Sequence, residues 1–373
     1  MNTNDLSLAL RPAGVSIEYG GAAARAGILN WLEERALHRY IRCSRNGASV
    51  SVALSDSIAG ELTPTFDTMN LAAQLQLDAA DAGDVEREIA LAMLAAPTAL
   101  AYASFEEFAA SVRVRRNIAL AARSTQLAFE TSSAERPEDY WIYDEDRGFT
   151  LLPGKPLIEG LKKATQPDSS GRLYSFSCYR ATEYVILLGV AQELQRSNPR
   201  LLRRLQRQWE TRAIMSGPFH DAFLFEYGSL QAPLPPGYYV PGDRLWFRNP
   251  DEQSSDVEGY EGSWVFYIGG GLFSNFWKRG RAYDMVSKCV ELFHWRDGVR
   301  QDSSGRPYMD EAAVDQHVRA SLEDPEKVHR ILSRMYRLRD PQGVYAEGGC
   351  IDASREFPRH LCPGTADLDL PCV

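Results

Sequence analysis

The stretch LYSFSCYRATEYVILLGVAQEL constrains this 373-residue chain more than any other. Within it Ala181, Tyr184, Val185, Leu187, Leu188, Ala191 and Leu194 recur at three- and four-residue spacing, the period of a helix with a buried face. Such a helix draws its stability from packing, so the rest of the chain must supply a core around it. Cys178 falls at its first or second position, after a serine-rich strand end, with Ser175 or Ser177 as the cap. The first turn of a helix presents free N–H groups and a partial positive charge, which favour a thiolate over a thiol. Arg180 adds to that field. A nucleophile would stand here, but so would an ordinary buried cysteine, and the local pattern leaves both readings open.

The flanking patterns give that helix its partners. Strand-like runs occur at AFLFEYG (222–228), DRLWFRNP (243–250) and SWVFYIGGG (263–271). A long helix is predicted over 105–129, a hairpin over 139–152 with DEDRG as its turn, and a basic helix near 199–212. Before these, VSIEYG and ASVSVALS read as short strands flanking a helix over 21–42; a second helix covers 84–95, and APTALAY reads as a linker. After 280 the pattern is helical, ending in 326–340. A central sheet between helices, one of which opens on a cysteine, is an α+β arrangement.

Charge and cysteine usage exclude several classes. The formal net charge of −9 argues against wholesale nucleic-acid binding, and the basic cluster over 201–212 has helical spacing and reads as a solvated face. No apolar run reaches the length of a membrane span, and the N-terminus lacks the layout of a signal peptide. The expectation is a cytoplasmic protein, or one exported without a cleavable signal. The six cysteines form no C-x-x-C pair and lie at no zinc-finger spacing, so no metal site is assigned. Three of them, Cys350, Cys362 and Cys372, fall in the last 24 residues, a Pro-rich tail that reads either as stapled by a disulfide or as holding free thiols. IGGGLF lacks the G-x-G-x-x-G spacing and an evident following helix, which argues against phosphate binding. No cofactor is implied.

SVRVRRNIALAARS, YWIY, YSFSCYRATEYVILLG, GDRLWFRNP and YEGSWVFYIGGGLF follow one another in an order and spacing that resembles the bacterial spore-coat transglutaminases, the protein-glutamine gamma-glutamyltransferases of spore formers. The likeness covers about residues 103–282. It implies a compact α+β core similar to the papain-like NlpC/P60 peptidases, with a central antiparallel sheet and a nucleophile helix. It also implies three parts: an N-terminal α/β extension over 1–100 for targeting or partner binding, a catalytic domain over 101–300, and a helical C-terminal extension over 301–373 with the cysteine-containing tail. By the same resemblance the Cys178 thiolate attacks a glutamine carboxamide, ammonia leaves, a thioester forms, and a lysine amine or water takes the acyl group. The partner is then a protein with an accessible glutamine, and a lysine if the outcome is cross-linking.

The chain departs from that pattern around the thiol. Ser263 stands where the family has a catalytic glutamate, Ser177 where it has a glutamate before the nucleophile, and Asn275 where a histidine is expected. A neutral hydroxyl cannot act as general base near neutral pH. Glu261, two residues before Ser263 and on the same face of an extended strand, is the first candidate to take over that role. His220, with Asp221 at the start of a predicted strand, is the second, and Glu226 in a strand taken as neighbouring is the third. His294, His317, His329 and His360 read as structural. Ser177, Ser263 and Asn275 are left as substrate-binding positions, and the tryptophans and phenylalanines of 246–277 as core or tunnel lining. Three functions stay open: a glutamine transferase or deamidase, an exported effector-type acyltransferase or amidase with an altered site, and a catalytically silent binding protein.

Overall fold

The helix predicted by the apolar spacing forms over Cys178–Ser197, and nearly all of its residues from Ala181 to Leu194 are buried. The computed structural model describes residues 11–129, 134–146, 148–214, 216–278, 280–340 and 348–370. A second long helix, Phe105–Ser124, runs against the first. Gly189 permits that contact: a Cβ there would stand 2.5 Å from the Ile118 side chain and 3.1 Å from its backbone nitrogen. Side chains of both helices, with Trp141, Leu161, Phe266 and Ile268, make one continuous apolar core.

The helices lie on a six-stranded antiparallel sheet with the order Tyr283–Asp284, Leu272–Phe273, Gly262–Gly269, Arg244–Arg248, Arg355–Pro358, Leu224–Tyr227. Every pairing in it is antiparallel. The strand Arg355–Pro358 belongs to the tail, which the sequence reading left without strands. It pairs with Leu224–Tyr227 on one side and Arg244 on the other. Glu226 therefore lies three strands from Gly262–Gly269, not beside it, because Arg244–Arg248 and the sequence-distant Arg355–Pro358 stand between them. On the opposite face of the sheet the helices Met285–Gly298, Glu311–Leu322 and Pro325–Met335 enclose a separate apolar cluster with Leu245, Val265 and Tyr267.

The N-terminal hundred residues build a smaller four-stranded sheet with the order Ile41–Asn46, Ser49–Leu54, Val15–Ile17, Leu100–Tyr102. Two expectations fail there. The helix predicted over 21–42 ends at Glu34, because Ala36 adopts a φ of +55° that a right-handed helix cannot continue, and Ile41–Asn46 turns back as a strand. The supposed linker holds the strand Leu100–Tyr102, which pairs in parallel with Val15–Ile17. The N-terminal unit is joined to the central sheet by Glu88. Its carboxylate accepts hydrogen bonds from the Tyr267 hydroxyl (3.0 Å) and the Gly270 N–H (2.9 Å) of the IGGG turn. That loop's backbone is thus occupied by a protein carboxylate. Among the described residues no helix is long and apolar enough to cross a membrane.

Candidate active site

Cys178 is the first residue of its helix. A two-residue strand, Ser175–Phe176, pairs in parallel with Ala128–Phe129 and fixes the entry to the helix. Ser177 is the N-cap, its hydroxyl accepting the Arg180 N–H at 3.4 Å. That hydroxyl is spent on the helix. Ser177 lines a different depression, with Phe176, Arg180, Tyr184 and Ile214, and not the one that contains the thiol.

The thiol opens into a narrow cavity of about 80 Å³. Ser263 and Trp264 of the sheet, Asn275 and Lys278 of the following loop, and Lys288 and Glu291 of the helix Met285–Gly298 share its lining. Of the residues singled out from sequence, Cys178, Ser263 and Asn275 therefore converge. Glu261 does not line the cavity, although its neighbours Tyr260 and Gly262 do. It is exposed, one residue before the strand begins, and its Oε1 faces the Gly259 N–H at 3.4 Å. Its negative charge still reaches the thiol. His220 lies on the helix Ser216–Phe223, not at a strand start, and its Nε2 is 2.8 Å from Glu356 Oε1. It is not part of the lining.

Burial pushes the Cys178 thiol up, against the expectation that the helix end would lower it. Hydrogen bonds from the backbone N–H groups of Trp264 and Tyr179 to the sulfur, and the positive charge of Lys288, pull the other way without prevailing. Arg180 is engaged elsewhere. It pairs with Glu183 at 2.6 Å and donates to the Ile214 carbonyl. The cation that serves the thiol is Lys288, which the sequence reading passed over. It is 2% exposed, 3.3 Å from Glu291, and its Nζ stands 4.2 Å from the centre of the Tyr283 ring. Its signal was available: Lys288, Glu291 and Trp295 recur at helical spacing within a segment that otherwise buries apolar side chains.

Asn275 has one end of its amide engaged and the other free. Its Oδ1 accepts the Trp277 and Lys278 N–H groups at 3.2 and 3.3 Å, while its Nδ2 is buried with no hydrogen-bond partner among the described residues. Around the thiol the aromatic side chains are ordered against one another. Tyr179 and Trp264 meet edge to face at 5.0 Å, and Trp246 stacks on Trp264 at 5.9 Å. The Arg244 guanidinium sits 4.9 Å from both the Tyr179 and the Trp264 ring centres. Gly262 is needed for this arrangement, since a Cβ there would lie 2.2 Å from the Trp246 indole nitrogen.

One more titratable group stands apart from the cavity. His294, Asp297 and His317 lie close enough together to hold a metal ion. Both nitrogens of His294 are engaged, however, with Asp297 at 2.5 Å and with the Ser321 hydroxyl at 2.6 Å.

The chain matches the protein-glutamine gamma-glutamyltransferase family across residues 65–364. Among solved structures it is similar to a transglutaminase from Geobacillus stearothermophilus lacking its C-terminal extension. The identity is 19%, with 57% of this chain and 97% of that chain covered, and the TM-score is 0.38. No curated protein matches it.

Proposed function

The chain belongs to the protein-glutamine gamma-glutamyltransferase family, and from that premise we propose that it acts on glutamine side chains of proteins with Cys178 as nucleophile. The observation that carries this reading is the thiol itself: it stands at a helix N-terminus, half-buried, at the wall of an aromatic-lined cavity, with a backbone N–H and a buried lysine charge directed at it. In this proposal the sulfur attacks the carboxamide carbon and the C–N bond breaks. Ammonia leaves with the added proton and a thioester remains. Attack by an amine or by water then frees the thiolate. The free Nδ2–H of Asn275 is the proposed donor to the substrate carbonyl oxygen, where negative charge develops. Glu261 is the proposed base, drawn in when substrate covers the cavity mouth. In this reading the catalytic core is papain-like, carried by residues 101–300, with 1–100 and 301–373 as extensions, the latter lending one strand to the sheet.

A second reading is favoured by one specific observation. Ser263 and Asn275 occupy the cavity where the family pattern has glutamate and histidine, and no carboxylate or imidazole among the described residues hydrogen-bonds the sulfur or its immediate donors. A protein silent in catalysis, binding partners through the same cavity, has these properties. Labelling with a glutamine-mimicking electrophile, followed by peptide mapping, separates the two. Modification of Cys178 together with ammonia release or amine incorporation supports the enzyme. Labelling without turnover on any amide donor, with activity gained only in Ser263→Glu, supports the silent protein. Absence of label on Cys178 overturns the nucleophile assignment.

A further inference from the structure

Two cysteines outside the cavity stand as a pair. Cys289 lies on the helix Met285–Gly298 and Cys350 on the segment that precedes the last strand of the sheet; they are 61 residues apart in sequence. Their sulfur atoms are 3.7 Å apart, and both residues are fully buried in the cluster between the sheet and the three C-terminal helices. Neither thiol has a strong alternative partner. Cys350 donates to the Met335 carbonyl at 3.2 Å, and Cys289 points at the Met285 sulfur at 3.9 Å. A disulfide needs its sulfurs at about 2.05 Å, with Cβ atoms about 3.8 Å apart. Side-chain rotation closes most of a gap of this size.

We infer that Cys289 and Cys350 form a disulfide that ties the helix walling the thiol cavity to the end of the sheet strand Arg244–Arg248. The anchor on the sheet side is firm: the Cys350 carbonyl accepts the Arg248 N–H at 2.8 Å, and Ile351 bridges to Phe247. On the other side, Cys289 is next in sequence to Lys288 and two residues from Glu291, which both line the cavity. The bond would therefore hold Lys288 in place relative to the strand that carries Ser263. The oxidant is a disulfide, either a small-molecule one or that of an oxidoreductase. One cysteine thiolate attacks it, releasing the first oxidant thiol and leaving a mixed disulfide. The second cysteine displaces the other oxidant thiol. In sum two protein thiols give up two protons and two electrons, and the oxidant disulfide becomes two thiols. Because both cysteines are buried, the exchange takes place in the unfolded or locally opened chain, so the bond records the redox state in which the chain folded.

The test uses the full chain, unfolded in reductant and refolded either in a mixture of oxidised and reduced glutathione or in reductant alone. Free thiols are then alkylated, and the digest is mapped without reduction. The expected result is a peptide linking residues 289 and 350 in the oxidised sample only, an apparent melting temperature several degrees higher in that sample, and Cys178 alkylated in both. In Cys289→Ala/Cys350→Ala the two refolding conditions should give the same melting temperature. If both cysteines are found alkylated after oxidative refolding, or joined to Cys43, Cys362 or Cys372, the inference fails. The wild-type map decides this even where the double variant does not fold.

Discussion

At the scale of single residues, burial raises the thiol, and the Trp264 and Tyr179 N–H groups and then the Lys288 charge pull it down. The rate of Cys178 alkylation by iodoacetamide should therefore rise with pH to a midpoint above the ordinary thiol range. Lys288→Met should move that midpoint further up and slow labelling near neutral pH, while Lys288→Arg, which keeps the charge, should leave it near wild type. An unchanged midpoint in Lys288→Met would show that the lysine charge does not act on the sulfur. The base is a separate question. If Glu261 serves, Glu261→Gln should cost on the order of 10²–10⁴ in turnover while Cys178 labelling stays nearly intact. Full activity in that variant would eliminate it and move suspicion to Glu291, which lines the cavity beside Lys288. His220 is committed to Glu356, and Glu226 lies three strands from Gly262–Gly269, accepting the Ser354 hydroxyl at 2.5 Å.

At the scale of elements, the tail strand Arg355–Pro358 is secured by an ion cluster. Glu356 faces His220 of the helix Ser216–Phe223 at 2.8 Å and pairs with Arg244 of the adjoining strand. The hydrogen bond to Glu356 raises the His220 pKa, against a smaller lowering by burial. For Glu356, burial alone would raise the carboxyl, but His220 and Arg244 together hold it below the ordinary value. The signs give opposite limits. A raised histidine stabilises below its unfolded value near 6.5 and loses that contribution as pH climbs through the folded value. A depressed carboxylate stabilises above its unfolded value near 4.5 and loses that contribution as pH falls through the folded value. The latch is thus at full strength between about pH 4.5 and 6.5. Subtracting the melting curve of His220→Gln from that of wild type across pH 4 to 9 should give a difference largest in that window and shrinking at both ends. A difference independent of pH would mean that packing, not charge, holds the strand.

At the scale of the whole molecule, a buried charge pair joins the helix Phe105–Ser124 to the sheet. Arg115 meets Asp243 at 2.5 Å, with both side chains fully buried. The Tyr227 hydroxyl donates to the other Asp243 oxygen at 2.5 Å, and the Val240 N–H donates to it at 2.8 Å. The Arg115 guanidinium also lies 4.7 Å from the centre of the Phe357 ring, so four segments meet at one point. Removing one partner leaves the other charged, buried and uncompensated. Asp243→Asn should therefore cost about 3–5 kcal/mol of unfolding free energy, measured by denaturant titration. Arg115→Met in the same background should return part of that loss, because the stranded charge is then gone. If the double variant is as unstable as the sum of the single ones, the pair is not coupled in the way its geometry implies.

The apolar period after Cys178 determined the central helix and narrowed the cysteine to its first or second position and the cap to Ser175 or Ser177, because helix periodicity and capping are local properties of a few turns of chain. The structure chose the first position and Ser177. The order of motifs was likewise enough to identify the family. Positions whose surroundings come from far along the chain were not legible. The direction of the thiol's pKa depended on burial, which outweighs the lowering by the Trp264 and Tyr179 N–H groups and by the Lys288 charge. Lys288 read as one charge in a helix until the fold placed it against the cavity. The sheet's strand order turned on a four-residue strand after residue 350, too short to declare itself and formed because two strands from earlier in the chain left their edges open to it. Local spacing sets elements, whereas dielectric surroundings and strand neighbours are properties of the packed chain, and these decide how the thiol behaves.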